Sequence, residues 1–157
     1  MRSLTTSMRA FFEHPDQWEL FKRERPLETA VDEILRWATP VIEFQRTATR
    51  DCVLAGQQIQ AGERVVLYYS SANRDDAVIA DPDRFDITRN TQKSIAFGAG
   101  PHYCAGAFAS RAMVADVALP SVFERLKGLR LDHTQPVRIG GWAFRGLLNL
   151  PVMWDAG

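Results

Sequence analysis

The segment FGAGPHYCAG, from Phe97 to Gly106, gathers residue types that could do chemistry around Cys104. Gly98 and Gly100 allow the backbone to turn sharply and to approach a flat partner closely, because glycine lacks a Cβ. Gly106 removes a side chain at the point where a helix is predicted to begin. The sulfur of Cys104 is therefore predicted to lie in a glycine-lined concavity that a ligand can enter.

The position of Cys104 just before a helix bears on the ionisation of its sulfur. The first turn of a helix presents unpaired backbone N–H groups and the positive end of the helix dipole. Both favour the thiolate, which is the form that binds metals and attacks electrophiles. With the aromatic Phe97 in the same segment, Cys104 could be a metal ligand beneath a planar cofactor, or a nucleophile.

The surrounding residues weigh differently on these chemistries. A nucleophile needs a neighbouring base, but only His102 is close in sequence, His14 and His133 are distant, and no cysteine-hydrolase signature is present. A structural zinc site needs four ligands, which one cysteine and one nearby histidine do not supply. Haem iron needs a single protein ligand on that side, so haem-thiolate ligation is compatible with the sequence.

The composition is that of an ordinary globular protein. The 157 residues are 46% apolar and 24% charged, and 19 basic residues balance 19 acidic ones. This length and balance predict one domain, residues 1–157, with no nucleic-acid-binding or membrane-binding surface. No apolar run reaches membrane-spanning length and the N-terminus lacks signal-peptide features, so a cytoplasmic location is predicted. Cys52 is interpreted as a separate reduced thiol without a function.

Apolar residues at helical spacing predict three helices near the N-terminus. The first covers residues 3–14, the second begins at Pro15, which suits the first helical position, and the third covers Leu27–Ala38. Residues 44–69 are rich in β-branched side chains and are broken by turn signals such as Ala55-Gly56. That region is predicted to form short strands and hairpins.

The second half of the chain is predicted to contain a loop, a helix and more short strands. Residues 88–100 have no clear period and predict a long loop, whereas residues 137–154 predict short strands. Between them a helix follows Cys104 and ends at Gly128, with a kink at Pro120, because proline lacks the N–H of a helical hydrogen bond. The predicted buried face of this helix is Phe108, Ala112, Ala115, Leu119, Val122 and Leu126.

The cysteine segment resembles the haem-binding loop of the cytochrome P450 family, which reads F-G-x-G-x-[HR]-x-C-x-G. Every fixed position is matched, by Phe97, Gly98, Gly100, His102, Cys104 and Gly106. The resemblance runs from about residue 3 to residue 154. The segments EHPDQWEL, RWATPV, FQRTATRD and SANRD are similar to the actinobacterial members that oxidise sterols and lipid tails.

Two upstream elements of that family are also present. ETAVDEILRW contains an E-x-x-R motif, Glu33 and Arg36, whose side chains can pair on one helix face, and DPDRFD contains a P-x-R-F segment with Arg84. The resemblance implies that these three residues form a buried charge triad. Taken alone, the pair would suit a solvated face, because it lies opposite the apolar stripe of its helix. A second E-x-x-R, Glu43 to Arg46, lies in a segment predicted to be extended.

The resemblance implies a mainly α fold with small antiparallel β-sheets, a haem b cofactor (iron protoporphyrin IX), and O₂-dependent hydroxylation of an apolar substrate such as a sterol or a lipid. Cys104 would be the axial iron ligand and Phe97 would shield the sulfur. Arg46 and His102 would bind the haem propionates, since a guanidinium pairs well with carboxylates. Without the other motifs, Arg46 would be interpreted as an arginine on the surface of a strand.

The same resemblance implies partners for the intact enzyme. An electron donor of the ferredoxin or flavodoxin type would dock near the cysteine loop, where Arg89, Lys93 and Arg111 offer positive charge. Substrate contacts are expected from residues 41–44 and 143–147.

The resemblance covers only the C-terminal portion of the family's fold. The chain begins just past the distal helix motif, an acidic residue and a threonine that handle oxygen and its protons, and Thr5 and Thr6 do not replace them. A partial domain with exposed apolar surface and weak haem retention is therefore expected. Three interpretations remain open: a portion of a monooxygenase, an inactive truncated remnant or split-gene piece that binds haem weakly or not at all, and a haem-binding module without turnover.

Overall fold

Three helices form the N-terminal part of the fold. The computed structural model describes residues 2–25 and 27–155. The helices are α1 (Arg2–Glu13), α2 (Pro15–Glu24) and α3 (Leu27–Ala38). Pro15 lies in the first turn of α2, where a missing N–H costs nothing because that N–H would have no helical partner. Arg25 ends α2 in the left-handed conformation with φ 48°. The three predicted helices are confirmed.

The helices pack around an aromatic core. Phe11 is fully buried, and its ring centroid lies 5.1 Å from that of Trp18, 5.2 Å from that of Phe21 and 5.8 Å from that of Phe85. Aromatic pairs at such distances add to the free energy gained by burying their surface. The buried stripe that α3 contributes to this core includes Val31, Ile34 and Leu35.

Four short strands follow the helices. They are β1 (Glu43–Thr47), β2 (Cys52–Leu54), β3 (Gln57–Ile59) and β4 (Arg64–Tyr68). Strand β1 pairs with β4 and β2 with β3, both antiparallel. Ala55 and Gly56, with φ values of 48° and 81°, form the predicted turn between β2 and β3. The second E-x-x-R motif therefore lies on a strand, as predicted, and a short helix α4 (Tyr69–Ala72) leads into irregular chain.

The helix after the cysteine loop changes its hydrogen-bonding pattern along its length. It consists of α5 (Ala107–Ala112), a π-helical stretch (Met113–Ala118) and α6 (Leu119–Arg125). Pro120 lies in the first turn of α6, directly after the π-helical stretch. A proline ring clashes with the carbonyl four residues earlier, and the wider π turn relieves this conflict. The structure thus places a π-helical stretch where the sequence predicted a kink.

The predicted buried face of this helix is only partly correct. Ala115 and Leu119 are buried, whereas Phe108 is 84% exposed. Helical spacing tells which residues share a face, but it does not tell how far along the helix other elements cover that face. The assignment of Phe108 to the core is therefore wrong.

Four further strands complete the chain. They are β5 (Arg130–Leu131), β6 (Arg138–Gly140), β7 (Gly146–Asn149) and β8 (Val152–Met153). Strand β5 pairs with β8 and β6 with β7, both antiparallel. The fold is thus a set of helices with small antiparallel sheets, as predicted. In the described part of the chain, no helix is both long enough and apolar enough to cross a membrane.

Several large apolar side chains lie on the surface. Trp142 is 83% exposed, Leu148 67%, and Met113 and Val117 60% each. Single exposed apolar residues are ordinary in soluble proteins, but a concentration of them marks surface that suits contact with another group or chain. The expected exposed apolar surface is present.

Candidate functional site

Two glycines with left-handed backbone shape the cysteine loop. Gly98 has φ 74° and Gly100 has φ 63°, values that residues with a side chain rarely adopt. The chain then makes a short 3₁₀ turn at Gly100–His102. The N–H of Cys104 donates to the carbonyl oxygen of Phe97 at 2.9 Å and closes the loop. Cys104 itself is a free, exposed cysteine.

Missing side chains keep space open around this loop. A Cβ at Gly98 would lie 3.4 Å from the hydroxyl of Tyr69 and 3.5 Å from the carbonyl oxygen of His102. A Cβ at Gly106 would lie 3.9 Å from the sulfur of Cys104. A larger residue at Gly106 would therefore compete with a ligand for the space beside the sulfur.

A cavity of about 510 Å³ lies against the loop, and its wall includes Arg46, Tyr69, Gly98 and His102. Arg46 is half-buried on β1, and its Nη1 donates to the carbonyl oxygen of Gln45 at 2.9 Å. The fold thus places Arg46 and His102 at one cavity, although they are distant in sequence. Both side chains can bind a carboxylate. Tyr69 was not identified from the sequence.

The metal-ligating residues are otherwise dispersed. Within residues 2–25 and 27–155, no three histidine, cysteine, aspartate or glutamate side chains come close enough to hold a metal ion together. Cys104 is thus a candidate for the kind of site in which the protein offers one ligand and the other ligands come from a macrocycle.

Glu33 and Arg36 of α3 form a buried ion pair. Both side chains are 0% exposed. The Nε and Nη2 atoms of Arg36 donate to the two carboxylate oxygens of Glu33 at 2.7 and 2.9 Å, so the pair is bidentate. The solvated-face interpretation is therefore wrong, because irregular chain after α4 covers this side of α3.

Every N–H of the Arg36 guanidinium has an acceptor. Nη1 donates to the carbonyl oxygens of Asn73 at 2.8 Å and Pro82 at 2.9 Å, and Nη2 donates to that of Arg84 at 3.3 Å. With the two bonds to Glu33, these contacts use all five donors that an arginine carries. Arg36 therefore fastens two segments of irregular chain to α3.

The prediction that Arg84 is the third member of the charge triad is wrong. Its side chain is 65% exposed and lies 3.7 Å from Asp86, and only its carbonyl oxygen faces Arg36. Arg89 takes that place. Its side chain is 12% exposed, and its Nε lies 3.3 Å from Oε1 of Glu33. Residues in irregular chain have no fixed side-chain period, so the sequence pattern does not tell which arginine points inward.

Arg89 also holds the segment before it. Its Nη1 donates to the carbonyl oxygen of Ala80, and its Nη2 donates to those of Asp81 and Arg84, both at 2.9 Å. The segment that leads to the cysteine loop is therefore tied to Glu33 through one side chain.

This correction can be tested with two arginine variants. We expect Arg89→Met to lower the free energy of unfolding by about 1–3 kcal/mol, because buried acceptors lose their donor. Arg84→Met is the matched control and should change it by less than about 0.5 kcal/mol, as for other exposed side chains. Urea denaturation followed by circular dichroism measures both values. Equal losses of unfolding free energy in the two variants would contradict the replacement of Arg84 by Arg89 in the triad.

Asn73 connects the ion pair to the cysteine loop. It is 0% exposed. Its Nδ2 donates to Oγ1 of Thr39 at 3.0 Å, and its Oδ1 accepts the N–H of Ile95 at 2.9 Å, two residues before Phe97. The sequence reasoning did not identify this residue. The available signal was an asparagine inside the SANRD segment that resembles the family.

The two segments predicted to contact substrate lie side by side. Val41 forms an isolated β-bridge with Phe144, and the N–H of Ile42 donates to the carbonyl oxygen of Ala143 at 2.8 Å. Ile42 and Leu147 line a cavity of about 400 Å³. The fold therefore joins two segments that are far apart in sequence, and each lines the same cavity.

Two of the three cations predicted for partner docking are engaged within the protein. Arg89 is paired with Glu33, as described, and Nε of Arg111 donates to Oδ1 of Asp32 at 2.5 Å. Burial lowers the pKa of Arg111, but hydrogen bonds to Tyr103 and Asp32 outweigh it and raise the pKa above its ordinary value. Both arginines are therefore engaged in ion pairs, which reduces the positive charge that they offer to a partner, whereas Lys93 is exposed.

The chain is similar to known proteins. The family model described as Cytochrome P450 matches residues 9–151. Steroid C26-monooxygenase of Mycobacterium tuberculosis is 50% identical over 142 residues, which are 89% of this chain and 32% of that protein. Steroid C26-monooxygenase of Mycolicibacterium smegmatis is 54% identical over 141 residues, 89% of this chain and 33% of that protein.

The fold also matches solved structures. P450BioI, crystallised with acyl carrier protein carrying hexadec-9Z-enoic acid, superposes with a TM-score of 0.91 and 32% identity. That match covers 98% of this chain and 40% of P450BioI. The chain thus spans about a third of the length of the curated relatives it matches.

Proposed function

The chain belongs to the cytochrome P450 family, and we propose that it forms the haem-binding portion of a haem-thiolate monooxygenase, in which the sulfur of Cys104 would bind the iron of haem b. The observation that carries this proposal is an exposed thiol on a glycine-shaped loop. The chemistry of the donor set fits haem, because a lone thiolate suffices for iron held in a porphyrin.

The surroundings of the loop support the assignment of the other cofactor residues. Arg46 and His102 line one cavity against the loop. Haem b carries two propionates, and a guanidinium and an imidazole N–H are suitable hydrogen-bond donors to them. Arg46 and His102 would thus orient the ring over Cys104, while the absence of a Cβ at Gly106 keeps the space beside the sulfur free.

The residues assigned in this proposal either bind the cofactor or position the residues that do. When bound, haem would supply the oxygen chemistry, and Cys104 would supply its thiolate ligand. Cys104 binds the iron, Phe97 shields the sulfur from water, and Glu33, Arg36 and Arg89 hold the chain that carries the loop. We assign no catalytic acid or threonine to this chain.

For the intact enzyme we propose hydroxylation of an apolar substrate such as a sterol or a lipid. Relatives at 50% and 54% identity are named steroid C26-monooxygenases. The joined segments around Val41 and Phe144 would contribute contacts to this substrate. Electrons would come from a ferredoxin- or flavodoxin-type protein that docks near the cysteine loop.

The alternative is an inactive remnant or split-gene piece that binds haem weakly or not at all. Phe108 and Trp142 are 84% and 83% exposed. Such surface is costly unless another group or chain covers it, so a chain that lacks this cover would hold haem weakly. Haem binding and its dependence on named residues distinguish the two proposals.

Titration of the purified chain with haemin, followed by the Soret absorbance, tests haem binding. We expect saturation at one haem per chain. Arg46→Met and His102→Ala should each weaken binding by about 10- to 100-fold, the equivalent of one lost charge-assisted hydrogen bond. Arg50→Met is the control, since this exposed arginine lies just beyond β1 and outside the cavity wall. Equal affinities of all four chains, or no saturable binding, would favour the remnant.

A further inference from the structure

We propose that Arg111 is a positioning residue that locks the cysteine loop onto α3, an assignment whose functional meaning rests on the proposed haem-thiolate function. One guanidinium makes three contacts with two other parts of the fold. Nε donates to Oδ1 of Asp32 at 2.5 Å, and Nη1 donates to the hydroxyl of Tyr103 at 3.1 Å. The guanidinium carbon lies 4.6 Å from the ring centroid of Phe97.

The two loop residues in contact with Arg111 are those that determine where Cys104 sits. Tyr103 directly precedes Cys104, and the carbonyl oxygen of Phe97 accepts the N–H of Cys104 at 2.9 Å. The rings of Phe97 and Tyr103 lie 6.3 Å apart. Arg111 therefore restrains the loop on both sides of its 3₁₀ turn, at Phe97 and at Tyr103. Asp32, which lies on α3, holds Arg111 in place.

A cavity makes this restraint consequential. A space of about 540 Å³ is lined by Asp32, Leu35, Phe97, Tyr103 and Arg111. Well-packed aromatic rings are held by their neighbours, but a ring beside an open space can change its rotamer at little cost. Phe97 is partly buried against the hydrophobic core, and the guanidinium over its face adds a second restraint. Without that restraint, we expect larger motion of Phe97 and a weaker hydrogen bond from the N–H of Cys104 to its carbonyl oxygen.

The contacts argue against a surface role for Arg111. Its side chain is 39% exposed, and its charge is balanced by Asp32, whose side chain is 30% exposed. A residue that attracts an acidic partner needs an unbalanced charge, whereas a fork of directed donors over an aromatic ring suits restraint. Arg111 is thus placed to hold the ligand loop.

Amide hydrogen exchange of the haem-free chain, residues 1–157, tests the proposal. We expect Arg111→Leu to speed exchange of the Cys104 amide at least tenfold, without loss of the far-UV circular dichroism spectrum. Arg125→Leu is the control, since it makes the same substitution at an exposed arginine on α6, and it should change this rate less than twofold. Arg111→Lys should give an intermediate rate, because lysine can pair with Asp32 but cannot fork to Tyr103.

If Arg111→Leu fails to fold, Asp32→Asn and Tyr103→Phe each remove one contact and should each speed exchange about threefold. A Cys104 amide that exchanges at the wild-type rate in the folded variants would overturn the proposal. With haem added, Arg111→Leu should also show a smaller fraction of the red-shifted thiolate Soret band in the reduced, CO-bound state, and Arg125→Leu should not. If the wild-type chain does not show that band, the proposed haem function is contradicted. The positioning role of Arg111 is still decided by the exchange rates.

Discussion

Cys104→Ala will abolish the red-shifted Soret band that we expect from the reduced, CO-bound chain in the presence of haem. The thiolate of Cys104 is the proposed iron ligand, and alanine offers no donor atom. Any haem that stays bound to this variant through other contacts would lack the thiolate, and therefore the red-shifted band. The measurement is the difference spectrum of the reduced chain with and without CO.

Cys52→Ala is a closely matched control for this experiment. Cys52 is also free and exposed, but it lies on β2 and pairs with Ile59 on β3. If any exposed thiol could produce the band with added haem, Cys104→Ala and Cys52→Ala would reduce the band equally. We expect the band to be complete in Cys52→Ala, and loss of the band in both variants, or in neither, would contradict the assignment of Cys104.

Removal of one member of the buried ion pair should produce the largest loss of stability. We expect Glu33→Gln or Arg36→Met to lower the free energy of unfolding by about 3–5 kcal/mol. Glu33→Gln leaves the Arg36 charge buried without a carboxylate, and Arg36→Met leaves Glu33 with only the weaker contact to Arg89 at 3.3 Å. Both side chains are 0% exposed. A typical domain has a total stability of about 5–15 kcal/mol, so either variant would lose a large fraction of it.

Arg36→Lys separates charge from geometry. Lysine keeps the positive charge but has three donors in place of five, so two of the acceptors on Glu33, Asn73, Pro82 and Arg84 lose a bond. We expect a loss between that of Arg36→Met and zero, measured by urea denaturation. A Lys variant as stable as the wild type would show that the charge alone matters.

Local signals in the sequence were sufficient for the regular elements. The helix α3 was predicted with the bounds Leu27–Ala38 that the structure has, because its apolar spacing is a property of neighbouring residues. The turn at Ala55-Gly56 follows from the freedom of glycine to adopt a positive φ, and the start of α2 at Pro15 follows from the fixed φ of proline. The ligand loop was identified by its own motif for the same reason.

Only the tertiary structure decided which distant residues meet. It replaced Arg84 by Arg89 beside Glu33, because side chains in irregular chain follow no period that a pattern can reveal. It also exposed Phe108, since coverage of a helix face depends on elements far away in sequence.

By itself, then, the sequence determined the family, the helices and the cysteine that is proposed to bind iron. The placement of Arg111 between Asp32 and the ligand loop came only from the fold, because propensities and motifs act over a few residues, whereas packing joins residues across the whole chain.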